Sequence, residues 1–89
     1  MFIMTRIDVG NYETWKPMFD LDAPGARAEA LGHRLFRSLD HPNEVFIQIE
    51  FASTGDAEEA RRRLLASGVL DWFEDRHGPT VVEIVEATP

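Results

Sequence analysis

Cysteine is absent from this 89-residue sequence, lysine occurs once, at Lys16, and no apolar run approaches the length of a membrane span. Without thiols there is no disulfide framework, iron–sulfur cluster, thiolate metal site or cysteine nucleophile. Basic residues number 9 against 16 acidic ones, for a formal net charge of −7. A surface of that sign repels nucleic acid and anionic membrane, so neither is an expected partner. Met1-Phe2-Ile3-Met4 meets Arg6 and Asp8 too soon to form a signal-peptide core, and the expectation is a soluble, cytoplasmic chain. One small domain over residues 1–89 is expected, near the size at which a single core is barely sufficient. Chains this short usually add a disulfide, a metal or a partner subunit. His33, His41 and His77 lack metal-ligand spacing, so no metal site is expected and the partner subunit remains.

What the chain does contain is a regular succession of patterns. Phe2 to Val9 is a β-branched and aromatic strand run. Asn11 is placed to cap a helix carrying Tyr12, Trp15, Met18 and Phe19 at helical spacing. Pro17 interrupts that pattern, and Asp22-Ala23-Pro24 offers a second start, so two helical pieces are expected, about 11–20 and 24–31. His33 to Phe51 reads as two strands joined at Asp40-His41-Pro42-Asn43. A second helix opens at Ser53 or Asp56, with Ala57, Ala60 and Leu64 inward. Its ion pairs are Glu58 to Arg62 and Glu59 to Arg63, in the favourable order. Ser67-Gly68 interrupts it, further turns run from Val69 to Arg76, and Thr80 to Ala87 is the last strand. The order β-α-β-β-α-β is the ferredoxin-like arrangement: α+β, a four-stranded antiparallel sheet with two helices on one face.

The hairpin has apolar side chains on both faces, and a sheet greasy on both sides needs two covers. With Asp40–Asn43 as the loop, Leu39 faces Glu44, Arg37 faces Phe46, Leu35 faces Gln48 and His33 faces Glu50. The other surface carries Arg34, Phe36, Ser38, Val45, Ile47, Ile49 and Phe51, and is expected beneath the helices. The mixed first surface suits a subunit interface. A slip of one residue exchanges these sets.

The β-α-β-β-α-β order, Tyr12-Glu-Thr-Trp-Lys-Pro-Met-Phe-Asp20, Asp40-His-Pro-Asn-Glu-Val45 and Ala66-Ser-Gly-Val-Leu70 carry a resemblance. Over almost its whole length the chain resembles the dimeric α+β barrel superfamily, which includes antibiotic-biosynthesis-monooxygenase-like proteins and small members loosely labelled cyclases. The resemblance implies a homodimer whose two sheets pack as a barrel, each subunit keeping a small apolar cleft between sheet and helices. Some relatives oxidise aromatic polyketides without a cofactor. Others degrade haem with an Asn, a Trp and a His. This chain has Asn11, Trp72 and His77, but Asn11 follows the first strand and His77 ends a helix, so the haem set is not carried over and no cofactor is expected.

For substrate binding, Tyr12, Trp15 and Phe19 offer an aromatic wall, with Trp72 and an inward Arg34 near it. The same aromatic stripe is also what ordinary core filling looks like, and Arg34 near a strand start can reach water or an ion pair instead. His33 opposite Glu50 has acid–base geometry, or that of a cross-strand ion pair. His77, beside Gly78-Pro79, is a second catalytic candidate. No nucleophile elbow, triad or phosphate loop occurs. Two functions stand open at this point, with catalysis undecided. One is a homodimer binding a small hydrophobic or aromatic metabolite, as a cofactor-independent monooxygenase or cyclase would. The other is a non-catalytic dimeric module.

Overall fold

The computed structural model describes residues Met1–Pro89. Strand β1 (Phe2–Asp8) leads into helix α1 (Tyr12–Leu21), then the hairpin β2 (Gly32–Arg37) and β3 (Glu44–Glu50). Helix α2 (Thr54–Ala66), a short 3-10 helix at Val69–Trp72 and strand β4 (Arg76–Val82) complete the chain. The strands form one antiparallel sheet in the order β2-β3-β1-β4, which is the ferredoxin-like fold. No helix is long and apolar enough to cross a membrane.

Each helix begins where its side chains dictate. The Asn11 side chain accepts from the Thr14 N–H at 2.9 Å, and Asn43 in the hairpin loop accepts from the Tyr12 N–H at 3.1 Å. Two of the helix's free amides are thereby satisfied, one of them by a neighbouring element. α1 runs through Pro17 because the carbonyl it leaves without a donor, that of Glu13, lies on the exposed side. Ser53 caps α2 by accepting from Asp56 N–H at 3.1 Å. Ala57 and Ala60 are buried on its inner face and Leu64 packs against the core. Glu59 holds both Arg62 and Arg63. The Glu58–Arg62 pair does not form.

The core lies between the helices and one face of the sheet. Ile3, Thr5 and Ile7 of β1 alternate inward, as do Val45, Ile47 and Ile49 of β3, none more than 7% exposed. Phe51, Trp15, Leu70 and the two alanines close over them. At the other face stand Met4, Arg6, Phe36, Phe46, Gln48 and Glu50.

Four expectations require correction. The segment 24–31 is a series of turns. Asp22 adopts the left-handed conformation (φ 47) and accepts from the N–H groups of Ala26 and Arg27, while Gly25 is also left-handed (φ 68). Side-chain capture of the amides and a reversed φ prevent a continuing helix. β2 is also offset by one residue from the expected register: Arg37 faces Val45, Phe36 faces Phe46, Arg34 faces Gln48 and His33 faces Ile49. The hairpin loop is longer by one residue. Ser38 N–H donates to Glu44 carbonyl at 3.0 Å, and the Ser38 hydroxyl accepts from His41 N–H at 3.1 Å. Leu39 is left in solvent.

The third correction shortens the 69–76 turns to the 3-10 helix at Val69–Trp72, and the last shifts the final strand to Arg76–Val82. Phe2 pairs with Val82, and β1 starts at Phe2, so residues beyond Val82 have no strand opposite them. The strand passes through Gly78 because nothing larger fits. Gly78 has φ +94, and a Cβ there would stand 2.5 Å from the Met4 carbonyl oxygen.

Candidate functional site

A cavity of about 80 Å³ opens between the sheet and its helical cover. Its floor is Thr5 and Ile7 of β1 with Ile47 and Ile49 of β3. One wall is Trp15, Met18 and Phe19 of α1, and the other is Leu64, Val69, Leu70 and Phe73. The turns after α1 complete it with Asp22, Pro24, Ala26 and Arg27. Eleven of these fifteen residues are hydrophobic, which suits an apolar ligand body.

The aromatic wall is a chain of contacts. Trp15 and Phe19 stack at a tilt with ring centroids 5.0 Å apart, and Phe19 meets the His33 ring edge-on at 5.6 Å. Arg27 lies over the Phe19 ring with its guanidinium carbon 3.9 Å from the centroid, and donates to the Phe19 carbonyl at 2.5 Å. Asp22 accepts backbone N–H groups of Ala26 and Arg27 at 3.1 and 2.9 Å. Both ionisable residues of the lining are therefore tied to the backbone around the cavity.

Of the candidate residues, Trp15 and Phe19 line the cavity. Tyr12 packs against the core one turn away, 6.0 Å from the Trp15 ring and beneath the Arg37 guanidinium at 4.2 Å. Arg34 does not turn inward: the register puts it on the opposite face beside Gln48 and Glu50. The cation meeting the helix on β2 is Arg37, which donates to the Pro42 carbonyl at 2.6 Å and reaches Glu13 at 3.4 Å. Trp72 is 73% exposed, and Leu70 and Phe73 on either side of it face the cavity instead. His33 lies opposite Ile49, not Glu50, so the expected acid–base pair is not formed. His77 pairs across β4 with Arg6 on the open face, away from the cavity.

Thr5 and Arg27 were not among the sequence candidates. Thr5 was findable, because it stands between Ile3 and Ile7 on the inward positions of β1. Arg27 was hidden by the expectation of a helix over 24–31.

The open face carries its own polar cluster. Arg6 donates to Glu44 at 2.8 and 2.5 Å and to Asp75 at 2.5 Å, joining β3 to the approach of β4. Hydrogen bonding to Arg6 holds the Asp75 carboxyl below its ordinary range. The bonds to Asp75 and Glu44 correspondingly push the Arg6 guanidinium upward. Around it Met4 is 39%, Phe46 40% and Phe36 49% exposed. No protein-family model, curated protein or solved structure matches this chain.

Proposed function

We propose that this protein is a cytoplasmic homodimer of the α+β barrel kind that binds a small hydrophobic or aromatic molecule in the cleft between its sheet and its helices. The observation that carries the ligand reading is the apolar cavity walled by Trp15 and Phe19 and floored by β1 and β3. A small domain gains stability by filling such space, and an apolar cavity of this lining suits an apolar guest.

The dimer reading is supported by the other face. Met4, Phe36 and Phe46 stand there among Arg34, Gln48 and Glu50, a mixture that matches the composition of interfaces. The accessible area of 5827 Å² is about a tenth above the ~5,300 Å² typical of a folded monomer of this mass. A second copy is the simplest cover, since a two-fold axis lets one patch cover itself. By resemblance, the reaction class of such a cleft is cofactor-independent oxidation or cyclisation.

A second reading, a non-catalytic dimeric binding module, is supported by the lining itself. Its ionisable side chains, Asp22 and Arg27, are both engaged by backbone, and the histidines stand outside it. Both readings expect a ligand to reach Trp15. In a Trp72→Phe background, where Trp15 is the remaining tryptophan, a panel of single-ring and short-chain apolar metabolites should change its fluorescence saturably. Unchanged emission across the panel refutes the ligand reading. Saturable binding without turnover under oxygen favours the module over the enzyme.

A further inference from the structure

The floor of the cleft holds one polar side chain. Thr5 is 6% exposed, lies between Ile3 and Ile7 on the inward side of β1, and faces Ile47 across the β1–β3 ladder. Its hydroxyl has no hydrogen-bond partner elsewhere in the chain. Yet no buried polar side-chain atom is sealed away without a partner, so this oxygen keeps some access to a neighbour outside the chain, and Thr5 stands in the lining of the cavity on the inward side of β1. Buried hydroxyls are ordinarily satisfied, because desolvating one without a partner is costly. A valine of the same shape at this position would avoid that cost.

We infer that Thr5 is a specificity determinant of the cleft, holding the leading end of its ligand through a single hydrogen bond. This rests on the reading of the cleft as a ligand site. The ligand class follows from three features of the cavity. About 80 Å³ limits the enclosed part of a ligand to at most a single ring or a short aliphatic body, and excludes a fused polycycle. The apolar lining asks for an apolar body. At the leading end, a hydroxyl or carbonyl is required, because the Thr5 hydroxyl can accept from a ligand hydroxyl or donate to a ligand carbonyl. That end is uncharged. Ile7, Ile47 and Ile49 surround Thr5, and an ion buried among them has no counter-charge beside it. Asp22 and Arg27 belong to the turns after α1, where both are held by backbone groups. The ligand class is therefore a neutral single-ring phenol or a small ketone.

A site built around one hydrogen bond discriminates against the analogue that lacks the bonding group. Calorimetric titration with para-cresol, toluene and para-toluate tests this on the wild-type protein and on Thr5→Val and Thr5→Ser variants. The wild type should prefer para-cresol over toluene and reject para-toluate, whose leading end is charged. Thr5→Val should bind para-cresol about tenfold more weakly, the worth of one hydrogen bond, with toluene unchanged or tighter. Thr5→Ser should keep the wild-type order. Equal binding of para-cresol and toluene by the wild type overturns the role of Thr5 while leaving the cleft reading intact. So does equal weakening of both in Thr5→Val, or para-toluate binding as tightly as para-cresol. If no probe binds the wild type, the cleft reading itself fails and this inference falls with it.

Discussion

The two faces of the sheet are made from the same strands and live under different rules. Inward, Ile3, Ile7, Val45 and Ile49 are at most 4% exposed, and one hydroxyl interrupts an otherwise apolar floor. Outward, Met4, Phe46 and Phe36 are between 39% and 49% exposed and alternate with charge. The inner face is a finished core that leaves room for a small guest. The outer face is more apolar than an ordinary wet surface and more charged than a core, and the proposed dimer rests on that composition. The proposed function divides along the same line, across the thickness of one sheet: ligand on one side, assembly on the other.

Neighbouring residues give the sharpest way to break that division. Ile3→Ala, on the inner face, should destabilise the protein by about 2–4 kcal/mol in urea unfolding, the cost of a buried cavity. Met4→Ala, one residue away on the outer face, should cost much less in dilute protein and more as concentration rises. Equal losses at all concentrations would mean that the faces do not differ. Next in size is Phe46→Glu, which places a charge at the centre of the outer face. Sedimentation should show the dimer dissociating to folded monomers, with association weakened by roughly 2 kcal/mol or more. A wild-type protein that sediments as a folded monomer at micromolar concentration removes the barrel altogether.

The smallest effect is electrostatic. Asp75 is held below its ordinary pKa by its hydrogen bond to Arg6, and Glu59 by its bond to Arg62. A lowered folded-state pKa stabilises above the unfolded value, and that stability fades as pH falls through the folded one. Acid titration below about pH 4 should therefore lower the melting temperature slightly. Asp75→Asn should flatten part of that slope, and salt should weaken the effect because both carboxylates are exposed. A slope unchanged in Asp75→Asn would detach Arg6 from the acid response.

Much of the fold was legible because period and capping agreed. Asn11 caps the helix expected of it, Ser53 is the one of the two expected starts that caps α2, Ala57 and Ala60 face inward, and Val45, Ile47 and Ile49 form one face of β3. The register of β2 was not legible, for a reason visible in its composition. Each of its faces carries one large apolar residue and one arginine, Leu35 with Arg37 and Phe36 with Arg34. Hydrophobicity is therefore indifferent to a shift of one. The balance was tipped by loop chemistry: the Ser38 hydroxyl taking the His41 N–H, and the turn from Glu44 N–H to the His41 carbonyl. That single residue moved Arg34 out of the candidate site and brought Arg37 onto Tyr12.

Local pattern sufficed for the order of elements, the helix starts and the inward identity of Thr5, since these depend on residues close together along the chain. The cavity depended on contacts that no local pattern encodes. Asp22 had to capture two amides and open the 22–31 turns, Arg27 had to settle on Phe19, and the 3-10 helix had to turn Leu70 and Phe73 inward while leaving Trp72 outside. Empty space belongs to no residue. It is what remains when distant segments pack, and only their packing could place it over Thr5.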